Sequence, residues 1–104
     1  MVKKLTPIHP GEVLREMFLK PMRISAYRLA KGTSMPQTQV SEILRGKRSI
    51  TAESALLIAA FFGTSAEVWI RMQAEYDLRM ARRKIAARLK RVDTAFAEHS
   101  AHSA

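Results

Sequence analysis

The chain has 104 residues, with 18 Lys and Arg against 9 Asp and Glu, a formal net charge of +9 and no cysteine. This length fits one domain with one modest core, and the lack of cysteine excludes a disulfide, a thiol nucleophile and a Cys-based zinc site. No apolar run approaches the roughly 20 residues of a membrane span, and the start lacks the apolar segment of a signal peptide, so we expect a soluble, cytoplasmic protein.

Apolar spacing and helix-start signals predict an all-α fold of five helices. Helix 1 begins at His9, with Pro10 in its first turn, and ends at Pro21. Helix 2 begins at Ser25, a residue type that caps helices. A period of 3.6 residues predicts the inward faces of these two helices. They are Val13, Leu14, Met17 and Phe18 in helix 1, and Leu29 and Ala30 in helix 2.

Three further helices follow. Helix 3 runs from about Pro36 to Arg45, helix 4 is capped by Thr51, and residues 64–67, TSAE, predict a capping box that opens helix 5. Glycines end helices 3 and 4 in a left-handed conformation: Gly46 and Gly63. The predicted inward residues are Val40, Ile43 and Leu44 in helix 3, Ala55, Leu56, Ile58, Ala59 and Phe62 in helix 4, and Val68, Trp69, Met72 and Tyr76 in helix 5.

Helix 5 contains no breaker before the polar end of the chain. We therefore predict one domain, 1–104, with a core at about 8–78 and a basic helical extension at about 79–98. Residues 79–91 hold seven bases and no acid. The apolar stripe of this helix continues through Leu78, Ala81, Ile85, Leu89, Val92 and Phe96. A second copy of the chain could bury the stripe, giving a homodimer, or the helix could bend back onto its own domain.

Residues 24–48 have the layout of a helix-turn-helix that reads DNA, with helix 3 as the reader. Its outward amides and hydroxyls can both donate to and accept from base edges, and the bases at its end suit phosphates. An ordinary exposed helix face is the alternative. The candidate DNA-binding residues are Gln37, Thr38, Gln39, Ser41, Glu42, Arg45, Lys47 and Arg48.

Other candidate sites are weaker, and we expect no enzyme, no cofactor and no metal. No phosphate-binding glycine loop or Ser/His/Asp arrangement is present. His9 is interpreted as a helix-start residue, and Glu12 and Glu16 as the solvated face of helix 1. His99 and His102, in the tail, could share a helix face, but such exposed pairs seldom bind a metal.

The spacing of helices 2 and 3 resembles phage-repressor-like helix-turn-helix proteins. That family has a small residue late in helix 2 and a Gly four residues later, at the turn. A β-branched residue follows ten residues after the small one. Ala30, Ser34 and Val40 stand at these positions. The turn position tends to be left-handed, and a left-handed backbone at a residue other than Gly, such as Ser34, costs roughly 1–2 kcal/mol. The alternative is that the turn begins earlier, at Gly32.

A second resemblance covers about residues 8 to 81. The segments HPGEVLREMFLKPM and EILRGKRSITAESALLIAAFFGTSAEVWIRMQAEYDLRMA strongly resemble the HigA-type antitoxins, also called plasmid-maintenance antidote proteins. This resemblance implies an antitoxin of a type II toxin–antitoxin system that binds a small mRNA-degrading toxin. It also implies repression of its own operon, as a homodimer on a palindromic double-stranded operator.

Two alternatives remain open. One is a stand-alone phage-type transcriptional regulator with no toxin partner. The other is an RNA-binding or nucleoid protein that uses the basic C-terminal helix, since the charge alone is compatible with nucleic acid, an acidic protein or a membrane surface. We expect no membrane partner.

Overall fold

The computed structural model describes residues 6–95, and within that range every regular element is a helix. Helix α1 consists of Pro10–Val13, a π-helical segment Leu14–Leu19 and a last turn Lys20–Met22. The later helices are α2 Ala26–Thr33, α3 Gln37–Leu44, α4 Ala52–Phe62, α5 Ala66–Lys84 and α6 Ala86–Lys90. The all-α prediction is confirmed, and none of the helices in 6–95 is long and apolar enough to cross a membrane.

The five helices from α1 through α5 share one hydrophobic core. Its largest fully buried side chain is Trp69, whose indole N–H donates to the Thr64 hydroxyl at 2.9 Å and whose ring lies 5.2 Å from that of Phe18. The predicted inward residues of helices 2 and 3 are all buried: Leu29, Ala30, Val40, Ile43 and Leu44. Since α2 and α3 bury these residues in the same core, their mutual orientation is fixed by packing.

Three predicted core residues are wrong, because Met17, Leu56 and Val68 are exposed by 67%, 62% and 42%. In α1 the cause is the π-helical segment, where the Lys20 N–H bonds to the Arg15 carbonyl five residues earlier. This wider turn brings Leu19 inward in place of Met17. Leu56 lines an open groove between α4 and α5, and Val68 lines another between α1 and α5.

The helix starts follow from capping chemistry, with one correction. Ser25 accepts from the Arg28 N–H and Thr51 from the Ser54 N–H, which confirms both predicted caps. The Ser54 side chain also accepts from the Thr51 N–H, which completes a capping box that was not predicted. The predicted capping box at residues 64–67 is wrong, because Ser65 caps α5 by accepting from the Val68 N–H. The Thr64 hydroxyl is already used by the indole of Trp69.

The predicted uninterrupted helix 5 is also wrong. It ends at Lys84, and Ile85, with φ −112° and ψ 25°, separates it from α6. Like charges at i, i+4 spacing, such as Lys84 and Arg88, disfavour one continuous helix here. The extension does not fold back onto the core, since residues 86–95 are all exposed. Residues 96–98 of the predicted extension, including Phe96, lie outside the described residues, and so do His99 and His102.

Candidate nucleic-acid interface

The turn between α2 and α3 is left-handed at Ser34, which has φ 62° and ψ 27°. This confirms the conformation expected from the repressor-like spacing, although Ser replaces Gly. The earlier turn at Gly32 is wrong, because Gly32 lies inside α2. A Cβ at Gly32 would lie 2.2 Å from the Phe61 ring, so any larger residue there would displace this side chain of α4.

Helix α3 buries one side and presents the other to solvent. Val40, Ile43 and Leu44 hold it in the core. On the outward side Gln37 and Thr38, in the first turn, are exposed. The remaining predicted base-reading residues are half-buried at the flanks: Gln39, Ser41 and Glu42. The most accessible amide and hydroxyl of α3 therefore lie at its N-terminal end, the end that enters the groove in helix-turn-helix proteins.

The predicted phosphate-binding residues lie where α3 ends and the following loop begins. Arg45, Lys47 and Arg48 are exposed. Arg48 forms an ion pair with Glu42, with Nη2 2.6 Å from Oε1. The Glu42 carboxylate therefore neutralises one base of this group, and in the described part of the chain Arg45 and Lys47 have no such partner.

The half-buried Arg15 and the buried Gln73 hold this loop from behind, a role that the sequence patterns did not predict. Arg15, from α1, donates from its guanidinium to the Leu44 carbonyl at the end of α3. Gln73, from α5, accepts from the Ile50 N–H at 2.7 Å and donates to Asp77 at 3.0 Å. A buried glutamine within an apolar helix face is the one signal that could have indicated such a role, because buried amides require partners.

The His9-Pro10-Gly11 start of α1 packs directly behind α3. His9 Nδ1 accepts from the Gly11 N–H at 2.9 Å, which confirms its helix-start role. A Cβ at Gly11 would lie 1.7 Å from the Ile43 carbonyl oxygen, so only glycine allows this approach of the two backbones. Burial lowers the pKa of His9, while the nearby Asp77 carboxylate and a hydrogen bond with the Arg48 backbone act in the opposite direction.

The side of the molecule formed by α1, α4 and α5 is apolar. A groove of about 520 Å³ between α1 and α5 is lined by Ile8, Val13, Val68 and Met72 among others. A second groove, of about 330 Å³, lies between α4 and α5 at Leu56 and Ile70. Neither groove has a lining residue from α2 or α3.

Residues 6–95 contain no group of three or more His, Asp and Glu that could hold a metal ion.

Comparison with known proteins identifies the family. The helix-turn-helix family matches residues 14–69. The chain is 47% identical over 78 residues to virulence-associated protein I of Dichelobacter nodosus, covering 75% of this chain and 72% of that protein.

Two solved structures match over nearly their whole length. An addiction module antidote protein of a HigA family from Coxiella burnetii is 43% identical, with a TM-score of 0.81 and coverage of 86% of this chain and 98% of that one. The Pseudomonas aeruginosa antitoxin HigA, solved with the higBA promoter, is 35% identical, with a TM-score of 0.81 and coverage of 85% and 96%. The chain therefore belongs to the HigA family of helix-turn-helix antitoxins.

Proposed function

We propose that this protein is the antitoxin of a type II toxin–antitoxin pair in the cytoplasm. It represses its own operon by binding a palindromic operator as a homodimer, and it neutralises a small mRNA-degrading toxin. The observation that carries the proposal is the match, over 96% of that protein's chain, to a HigA antitoxin solved with its promoter. The family consists of regulators that bind DNA and not of enzymes.

Sequence-specific DNA binding is assigned to the exposed start of α3. The Gln37 amide and the Thr38 hydroxyl can contact base edges in the major groove. Arg45, Lys47 and Arg48 follow at the end of the helix and would contact phosphates, which contribute affinity for any sequence. The half-buried Gln39 and Ser41 lie at the edges of this surface.

The homodimer is assigned to the extension that begins within α5. Leu78 and Leu89 are exposed by 51% and 48%, although they continue the apolar stripe of the core helix. Burial of such a stripe against a second copy is favourable, at about 25 cal/mol per Å² of apolar surface. Two-fold symmetry would also place two copies of α3 about one DNA turn apart, roughly 34 Å.

Toxin neutralisation is assigned to the folded surface around α1 and α2 that faces away from α3. Large apolar side chains of α1 are exposed there, with Met17 and Met22 as examples. Exposed apolar surface of this kind is typical of protein-binding sites. A toxin bound to α1 and α2 in this way would leave the exposed start of α3 available to the operator.

The alternative of a stand-alone regulator uses the same DNA-binding surface and lacks only the toxin. Co-expression separates the two functions. The product of a short reading frame next to this gene should arrest growth, and this chain should relieve the arrest and co-purify with that product. If no neighbouring product is toxic or co-purifies, the stand-alone regulator is favoured.

A nucleoid or RNA-binding role predicts little preference among sequences. Binding of the purified protein to its own promoter and to random DNA of equal length tests this possibility. A specific binder is expected to prefer its site by at least about a thousandfold at physiological salt. Equal affinity for the two DNAs would contradict operator binding.

A further inference from the structure

His9 lies at the junction of three segments that are distant in sequence. Its side chain caps α1, its ring packs edge-on against Tyr76 of α5 with a centroid distance of 4.9 Å, and it is only 7% exposed. The third segment is the loop after α3. Gly46, with φ 73°, is so close that a Cβ there would lie 3.6 Å from the His9 side chain, and the Arg48 backbone lies within hydrogen-bonding reach of the imidazole.

Two other polar contacts hold the ends of this loop. Arg15 binds the Leu44 carbonyl before it, and Gln73 binds the Ile50 N–H after it. His9 contacts the middle of the loop, at the residues on either side of Lys47. A helix cap requires only an acceptor such as Asn or Ser. The ring contacts with Gly46, Arg48 and Tyr76 therefore exceed what capping α1 needs.

We propose that His9 is a positioning residue that fixes residues 46–48 so that Lys47 and Arg48 meet the DNA backbone without further ordering. The proposal rests on the DNA binding proposed above. A loop that is already ordered loses less conformational entropy on binding than a loose one. His9 itself need not contact DNA, and it is recessed beneath the loop.

The protonation state of the ring follows from its contacts. Nδ1 accepts from the Gly11 N–H, so in the neutral ring the proton lies on Nε2. Protonation would place a second donor against the Gly11 N–H and break that contact. The charged groups around the ring are Asp77 from α5, Glu12 and Arg15 from α1, and Arg45 and Arg48 from the loop. Burial favours the neutral ring and lowers the pKa of His9, although Asp77 and the Arg48 backbone act in the opposite direction, so the Gly11 contact is kept until the pH falls through this lowered pKa.

The His9→Asn variant separates the two roles. Asn retains the cap acceptor but lacks the ring against Gly46 and Tyr76 and the reach to Arg48. Ser65→Ala is the control for the loss of a helix cap, because it removes the cap of α5 and leaves Gln73 and Tyr76, the α5 residues behind the loop, unchanged. Tyr76→Leu is a second variant that leaves His9 in place and removes only the ring behind it. Circular dichroism checks that each variant is folded.

Two measurements test the proposal. The first is binding to promoter and random DNA across salt concentrations. His9→Asn should weaken binding to both DNAs by about fivefold or more. It should also reduce the slope of log binding constant against log salt concentration, the salt slope, by about one. Tyr76→Leu should change both quantities in the same direction. Wild-type affinity should fall more than that of His9→Asn once the pH drops below the lowered pKa of His9. Wild-type affinity and slope in His9→Asn would overturn the proposal.

The second measurement needs no DNA. Hydrogen exchange of the amides at residues 46–49 in the free protein should be faster in His9→Asn than in Ser65→Ala, relative to wild type. Unchanged exchange there would also overturn the positioning role. If the wild type binds no DNA at all while this exchange does change, the proposed function fails and the positioning of the loop by His9 stands.

Discussion

Two parts of the chain have the same apolar periodicity but different surroundings. In the core, the apolar side of each helix meets another helix, and Trp69 and Leu14 are fully buried. In the extension, residues 79–84 and 86–95 are exposed, although the apolar stripe continues. The comparison shows that periodicity identifies a face that must be covered without identifying what covers it. In the core the chain covers itself, and in the extension we propose that a second copy does.

The first prediction, with the largest expected effect, compares how much the core and the extension contribute to the stability of the monomer. Trp69→Ala should lower the free energy of unfolding by about 3–5 kcal/mol, because it removes the centre of the core. Leu89→Ala, measured at a concentration where the wild type is monomeric, should change it by less than about 0.5 kcal/mol. Urea unfolding measures both values. A comparable loss from Leu89→Ala would mean that the extension packs on its own core.

The second prediction concerns the dimer. Leu78→Asp with Leu89→Asp should give a folded monomer, because charge on the stripe opposes its burial. Ile85 is left unchanged, since it is half-buried at the junction of α5 and α6. We expect operator affinity to fall by about a hundredfold, or about 2.7 kcal/mol. Sedimentation and DNA binding measure these effects.

Leu56→Asp is the control for this pair, because Leu56 is exposed on α4 and lies outside the stripe. It should remain dimeric. A wild type that is monomeric at micromolar concentration, or a control that alone becomes monomeric, would place the dimer contact elsewhere or remove it.

The third prediction tests the phosphate contacts of the core. Lys47→Ala with Arg48→Ala should weaken binding to all DNA sequences alike and reduce the salt slope by about one to two. Glu42→Gln should have the opposite effect on affinity, since it releases Arg48 from its ion pair. Binding across a salt series checks both, and an unaltered slope in the double variant would place these side chains away from phosphates.

The smallest expected effect concerns the bases of the extension. Arg82→Glu with Arg88→Glu should reduce operator affinity at low salt by about tenfold and have little effect at high salt, because exposed charges are screened beyond about 10 Å. The dimer stripe is untouched in this variant. If both operator binding and toxin binding are unaffected at low salt, the basic window is only a solvated helix face.

The sequence was most informative where structure is local. The caps Ser25 and Thr51 and the buried faces of α2 and α3 follow from short-range capping and spacing. Met17 was placed wrongly because a π-helical segment changes the period, and no residue type marks such a segment. The interruption at Ile85 is likewise unmarked by Gly or Pro. The single-domain organisation of residues 1–104 stays a prediction.

In the candidate site, too, the residues that follow from local pattern could be predicted and those that depend on long-range packing could not. Thr38 could be chosen from a helical wheel, because it lies opposite the apolar side of α3, and Gln37 from its place at the start of that helix. The support from His9 and Gln73 could not, since each contacts the loop from more than 20 positions away in the chain. Contacts of such range depend on how the helices pack and have no short motif. The resemblance to the HigA family, and not the spacing, predicted the antitoxin function.

The central claim is that the start of α3 reads the operator. The most direct measurement compares wild type with Gln37→Ala, Thr38→Ala on the native promoter and on a scrambled DNA of equal length. We predict that the double variant loses about 1–3 kcal/mol of promoter binding per good base contact and retains its affinity for the scrambled DNA. Equal losses on both DNAs, or no loss on either, would contradict the assignment of α3 as the reading helix.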